Sequence, residues 1–489
     1  MPDRGVNAGR DSHLINPRQW VTMQQMRARL GVVSNLPGWL SLLSSGSVGA
    51  YGTLIDEFQM ADGTTFILFG GPTKLYRWDP GPQSLIDITG AIVLAPTRDT
   101  PWFPFVFDNS YYVTNLVDGL HKWTGTGDIT APAGAPKARA GGILNDHICL
   151  LNVNDGTSYP QRFQWAAEGT DSTWVAAQNN DAGAFDLIDT NDVGVALHHL
   201  GNDLIAYKER SIVPMTYIGG NEVFGKKQSV AGVGAIGPNA IATLSDRHIF
   251  MGSDSFYEYE GGVTVNDSIA DDIRERVYTD LHRTLRNRSQ VIYNEEHDEI
   301  TFLYPSLDAI TYVDKAVTFN VKERTWYGPF PIKATVAGYS FSTYLTKPLL
   351  MFINNDGVPM HFGRGQSDNG THIERVLESG DHSMADGSVT KYGQPVGVPL
   401  NSVFQVNMMH IEVENLSGGD VEFYLGHRME LNDDLKWDGP FTIRASRRNN
   451  VRVPVRSTGR WFRTRFIIPQ SREFTLFGYQ YEHNYVGVR

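Results

Sequence analysis

The feature that most constrains this chain is a recurring hairpin. A polar turn leads into an alternating apolar strand, then a second turn, then a strand carrying spaced aromatics. The pattern first runs from Asp62-Gly63 to Trp78-Asp79, and it returns from Asn109, Asn145, Asn202, Asp246, Asp298 and Lys347. These are seven copies at a spacing of roughly 35–57 residues, within reach of the period of a propeller blade. Period-two runs of Val, Ile, Phe and Tyr, closed by Asp-Gly, Asn-Asp or Gly-Gly, are strand and turn signals. Each hairpin has one apolar face that it cannot bury alone. Radial stacking buries those faces and leaves only short, protected edges. The expected fold is therefore all-β, with a six- or seven-bladed β-propeller over residues 46–365. A two-sheet sandwich would also give regular strands but would not need so many similar hairpins.

The flanks read differently. Residues 1–45 contain Trp20, Met23, Met26, Leu30, Trp39 and Leu40, apolar enough to dock, either closing the propeller or contacting another protein. One helix is predicted inside the β pattern, in the stretch from Ser268 to Ser289. Ile273, Val277, Leu281 and Leu285 fall four apart on one face, Ser268 caps it, and five arginines occupy the other side. After Gly363 the sequence turns polar and Gly/Asp-rich, and residues 366–399 read as a linker with long loops. Residues 400–489 alternate cleanly again and are expected to form a C-terminal antiparallel β domain, sandwich-like in build.

At 489 residues the chain is too long for one ordinary core, which fits a toroidal domain with additions. Its net charge of −12 argues against binding nucleic acid by counterion release over the whole surface. The charge is uneven, however. Eight arginines (444, 447, 448, 452, 456, 460, 463 and 465) occur between Arg444 and Arg465 with no acidic residue among them. This stretch reads either as a solvated sheet face or as an interface for an acidic partner. Arg444, Arg447, Arg448, Arg452 and Arg456, together with Trp20 and Trp39, are the candidate interface residues. The lone cysteine, Cys149, sits in an apolar run and is expected to pack as a small hydrophobe. No run of about 18 apolar residues predicts a membrane span, and the polar opening residues predict no secretory leader.

Chemistry finds little purchase. Asp181, Asp186, Asp189 and Asp192 could attract calcium, but they lack the spacing of a calcium loop. His198 and His199 are adjacent and on a strand would point to opposite faces, which makes joint ligation awkward. The turn EGTDSTW lacks the spacing of a sialidase Asp box, and no nucleophile elbow, zinc-protease, Walker or dinucleotide fingerprint is present. The chain is expected not to be an enzyme and to need no cofactor or metal.

Several blocks, in order, resemble the propeller-bearing tail proteins of short-tailed bacteriophages, known as nozzle, hub or packaged-DNA stabilisation proteins. These blocks are Arg162–Trp174 with Ala182–Leu187, Leu200–Gly220, Gly234–Gly262, NEEHDEITFLYPS, AVTFNVKERTWYGPF, His372–Met384 and WFRTRF. The resemblance covers about Gly46 to the C-terminus. The C-terminal domain departs most, with no clear S-D-D-G-G-x-T-W turn. The resemblance implies a homo-hexameric ring in the virion tail, made in the bacterial host cytoplasm and set below the portal and its adaptor. Such a ring would extend the ejection channel, retain packaged DNA, and carry tailspikes, fibres or a needle. DNA would pass its lumen without sequence-specific binding. A receptor- or carbohydrate-binding propeller, or a glycosidase, are the rival expectations.

Overall fold

The computed structural model describes residues 4–220, 222–340, 349–384, 389–391, 394–396, 401–414, 420–444, 449–468 and 473–488. The chain is nearly all β, and most strands sit in small antiparallel sheets that follow one another along the sequence. Leu54–Gln59 leads the first sheet, Phe103–Phe107 the second, Lys137–Leu144 the third, Gly194–Leu200 the fourth and Ile241–Thr243 the fifth. Gln290–Asn294 leads a sixth group, which continues through Glu299–Tyr304 and Val313–Asn320 into the long strand Thr325–Ser340. That strand then changes partners. Its first part pairs with Val313–Asn320, and its last part, from Ala334, pairs with Leu349–Asn354. A seventh group thus begins on the second half of one continuous strand.

Turn chemistry explains the short hairpins. Phe103–Phe107 and Ser110–Thr114 are joined by Asp108-Asn109, at φ of 44° and 52°. Lys137–Leu144 and His147–Asn154 are joined by Asn145-Asp146, at φ of 46° and 63°. Two consecutive left-handed residues match the twist of a tight hairpin, and Asn and Asp tolerate that conformation. The middle strands are covered on both sides. His147–Val153 and Ser110–Thr114 are buried throughout, so they read as continuous runs rather than as alternation. Cys149 lies in the first of these, a fully buried free thiol.

The leading strands neighbour one another in order. Leu54–Gln59 contacts Phe103–Phe107, which contacts Lys137–Leu144, then Gly194–Leu200, Ile241–Thr243, Gln290–Asn294 and Thr325–Ser340, which in turn contacts Leu54–Gln59. The seventh group is finished from the other end of the chain, because Trp39–Ser41 pairs with Pro359–Phe362.

Beyond these groups, two sheets face each other. One holds Trp20–Gln24, Arg375–Ser379, Trp461–Ile468, Asp420–Arg428 and Lys436–Arg444. The other holds Met26–Arg29, Val32–Asn35, Thr475–Val488, Ser402–Glu414 and Asn449–Gly459. Their inner faces meet through aromatics, with Trp20 6.3 Å and Phe466 5.9 Å from the ring of Tyr479. Thr464 and Tyr481 share a hydrogen bond of 2.6 Å across the seam. The sandwich is thus built from more than the C-terminal strands, since the N-terminal segment supplies strands to both of its sheets.

The helix is shorter than its periodicity predicts. Only Arg274–Asp280 is α-helical, flanked by single 3₁₀ turns at Ser268–Ala270 and Arg286–Arg288. Ser268 does not cap it: Ile273 holds the N-cap position without a side-chain hydrogen bond. Ile273, Val277 and Leu281 are buried as the pattern requires. Leu281 nevertheless adopts an extended conformation and bridges to Ser306, which ends the helix there.

Trp20 is fully buried where the small sheets meet the sandwich. Trp20→Ala should lower stability by about 3–5 kcal/mol, the cost of emptying a large aromatic site. It should be read as an earlier urea midpoint for exposure of the sandwich aromatics in a fluorescence titration. An unchanged midpoint would remove this residue from the core role given to it.

Candidate functional site

The arginine-rich stretch divides into two unlike parts. On Trp461–Ile468 the alternation turns Phe462, Thr464, Phe466 and Ile468 inward, and Arg463 and Arg465 to the other face. There they meet carboxylates of the neighbouring segment. Arg463 reaches Glu378 at 2.9 Å and Asp381 at 2.5 Å, and Arg465 reaches Glu378 at 2.7 Å while stacking over Trp437. Arg428 adds a second cation to Asp381 at 2.8 Å, and Ser12 donates to the same carboxylate. Burial pushes the Asp381 carboxyl up, but the hydrogen bonds from Arg463 and Ser12 and the charges of both arginines outweigh it. Its pKa is held below the usual range. Arg460 pairs with Glu430. The acidic partner of these arginines is the chain itself, which the local sequence conceals because Glu378 and Asp381 lie some eighty residues earlier.

The other part stays open. Arg452 and Arg456 are exposed on Asn449–Gly459, the outermost strand of its sheet, while Val453 and Val455 face inward. Neither arginine has an ion pair among the described residues. Pro454, exposed between them, removes a backbone donor on this edge strand, and such residues blunt a free edge. Arg444 ends Lys436–Arg444, the outermost strand of the facing sheet. Arg447 and Arg448 lie outside the described residues.

The tryptophans expected at an interface are used internally. Trp20 is fully buried, and Trp39, 4% exposed, stacks on Phe362 at 6.0 Å and donates to Asp368 at 2.5 Å. Met23 and Met26 are buried too, whereas Leu30 and Leu40 face outward. The docking expectation for Trp20 and Trp39 is therefore corrected: their apolar area is consumed in joining the chain's own sheets.

The acidic cluster is also dispersed among internal cations. Asp186 pairs with Arg162 at 2.9 Å, Asp189 with Lys226 at 2.5 Å, and Asp192 with Lys208 at 2.9 Å, while Asp181 lies 3.6 Å from His147. Among the described residues, no group of three or more His, Cys, Asp or Glu side chains is placed to hold a metal ion. Lys208 is fully buried. Its ammonium donates to the Leu187 carbonyl at 2.8 Å, the Thr190 carbonyl at 2.9 Å and the Thr190 hydroxyl at 2.9 Å, besides pairing with Asp192. Asp192 in turn accepts from the Arg210 amide at 2.8 Å and from Ser211. The Lys-Glu-Arg-Ser turn is thus a locked corner between the third and fourth sheets.

His198 and His199 do separate as expected, the first half-buried and the second exposed. His198 faces His248, with ring centroids 6.0 Å apart, and the buried His248 bonds the Tyr207 hydroxyl at 2.8 Å and the His199 carbonyl at 2.7 Å. Desolvation, together with the facing imidazole, lowers His198 to about 3, and desolvation lowers His248 to about 4.

The leading strands of the small sheets line a cavity of about 510 Å³ that is open to solvent. It is lined by residues of all seven groups, from Leu54 and Phe103 through Gly142, Leu197 and Ile241 to Val291 and Val336. Among the described residues, no Asp, Glu, Lys or Arg faces it. A space of that volume is far too small to hold a length of duplex DNA. Among the described residues no helix is long and apolar enough to cross a membrane.

No family model and no curated protein matches the chain. Among solved structures, the WD40 domain of Neurospora crassa Pan2 is similar at 11% identity and a TM-score of 0.31, over 75% of this chain and 94% of that one. A functionally unknown protein from Desulfotomaculum acetoxidans is similar at 9% identity and a TM-score of 0.35, over 61% and 91%. Both likenesses are low, and the architecture above stands on its own strand pairing.

Two outcomes follow from this geometry. Lys208→Met leaves Asp192 buried without its cation and should cost about 3–5 kcal/mol; adding Asp192→Leu should recover part of the loss. Thermal denaturation of the single and double variants would show it, and equal losses would contradict it. The second concerns pH. An unfolded chain protonates His198 and His248 near 6.5, whereas the folded chain resists until about 3 and 4. Between those limits the unfolded state binds more protons, so stability falls as pH drops below 6.5, by up to about 1.4 kcal/mol per unit and per histidine. Denaturation midpoints between pH 7.5 and 5 should decline, less steeply in His198→Leu; parallel slopes would exclude this histidine as a source.

Proposed function

We propose that this chain is a structural, ring-forming nozzle or hub protein of a short-tailed phage tail, with its small sheets arranged as a seven-bladed β-propeller. The blade count draws on the order of neighbouring leading strands, which returns from Thr325–Ser340 to Leu54–Gln59. It also draws on Trp39–Ser41, which completes the last group from the opposite end of the chain.

The observation that carries the functional reading is the N-terminal segment. Trp20–Gln24 touches the long strand at Met23↔Gly328 and pairs with Arg375–Ser379 on its other side. A hydrogen-bonded strand path therefore runs from the small sheets into the sandwich without a flexible linker. A body tied in this way transmits force as one piece, which suits the wall of a conduit that holds DNA under pressure. The cavity at the centre of the small sheets is far too small for duplex DNA, so the conduit in this reading lies between copies of the chain. The exposed Arg452 and Arg456 would then meet an acidic surface of a neighbouring subunit or of the adaptor. A hexameric ring and its tail appendages belong to the same proposal.

The test is made on phage particles. Heads assembled without this chain should package DNA and then lose it, seen as empty capsids in electron micrographs and as nuclease-sensitive genomes. Filled, nuclease-resistant particles that fail to adsorb would instead place the chain among receptor-binding proteins and overturn the conduit assignment.

A further inference from the structure

We propose that the central cavity is a binding site for a small uncharged molecule with an aromatic or branched aliphatic body and one hydroxyl-type polar group. The inference rests on the cavity alone and stands apart from the tail assignment. At about 510 Å³ the space falls within the range of small-molecule sites and is several times larger than apolar cavities that take up benzene. Its wall is firmly shaped. A methyl group on Gly141 would come within 2.3 Å of the Phe105 ring, so the third sheet's leading strand is glycine where that ring lies against it.

The chemistry of the wall selects the ligand. Trp102, Phe103, Phe105, Leu197 and Ile241 supply apolar surface, and among the described residues no carboxylate, ammonium or guanidinium lines it. A phosphate, carboxylate or ammonium would be desolvated without a counter-charge, at heavy cost. A sugar would leave many hydroxyls unmatched, because the polar groups are few. One of them is unsatisfied: Nδ1 of His198 bonds the Thr243 hydroxyl at 3.2 Å and the ring lies near the Pro238 carbonyl, while its buried Nε2 makes no hydrogen bond of good geometry among the described residues. A hydroxyl can both donate and accept, so it suits either tautomer of that ring. Entry lies beside Val106, His199 and Thr243, the exposed members of the lining.

The test uses the full chain with p-cresol and toluene, which differ by the hydroxyl alone. Calorimetry should show p-cresol binding at least tenfold tighter than toluene, with a matching rise in the thermal midpoint. His198→Leu should erase the preference and leave toluene binding in place. Ala337→Phe, which fills the cavity, should abolish binding of both, and Val291→Phe does the same from the neighbouring leading strand should the first variant misfold. The proposal is overturned if neither probe binds the wild-type chain at millimolar concentration. It is equally overturned if binding survives in a correctly folded filled variant, or if p-cresol keeps its advantage without His198.

Discussion

A three- or four-stranded antiparallel sheet leaves unpaired backbone groups at both edges and apolar surface on both faces, and it cannot satisfy either requirement alone. In this chain the remedy is repetition and borrowing. Successive small sheets cover one another's faces, and the last group takes its final strand, Trp39–Ser41, from the N-terminal segment. The same segment places Trp20–Gln24 between the long strand and Arg375–Ser379, and its Met26–Asn35 hairpin extends the facing sheet. Contacts separated by more than three hundred residues therefore close the structure. Loop-closure entropy makes such contacts late and costly to form, and they make the completed body hard to open in parts.

The polar interior follows the same logic of internal completion. Lys208, Asp192, Thr190 and Ser211 satisfy one another within a single corner, and Asp381 gathers Arg428, Arg463 and Ser12. Buried charges of this kind add little net stability over apolar packing, but they penalise any arrangement that separates the partners. The Asp381 cluster joins segments distant in sequence and so acts on sheet order, whereas the Lys208 cluster fixes one corner between successive sheets. Among the described residues, the exposed edge strand of the sandwich carries two arginines without an ion pair, with a proline between them.

Parts of this were legible in the amino-acid order because their physics is local. Asp108-Asn109 and Asn145-Asp146 announce tight turns, and Ile273, Val277 and Leu281 announce a buried helical stripe. The stripe was truthful about burial and misleading about length, because the bridge from Leu281 to Ser306 competes with further helix. The run of eight arginines advertised an interface, yet Arg463 and Arg465 are neutralised by Glu378 and Asp381. Trp20 and Trp39 advertised docking and supply it, but to the chain's own sheets.

The sequence by itself determined the β character, the recurring hairpin unit, the turn positions and which side chains prefer burial, since all of these follow from near-neighbour sterics and a period of two. Only the tertiary structure decided that Thr325–Ser340 would serve two groups, that residues near Trp20 and Trp39 would stitch sheets together, and which arginines stay free. The reason is physical. A strand carries no local mark naming its partner, because backbone hydrogen bonds are the same for every residue, and the choice falls to the faces and charges that long-range packing brings together.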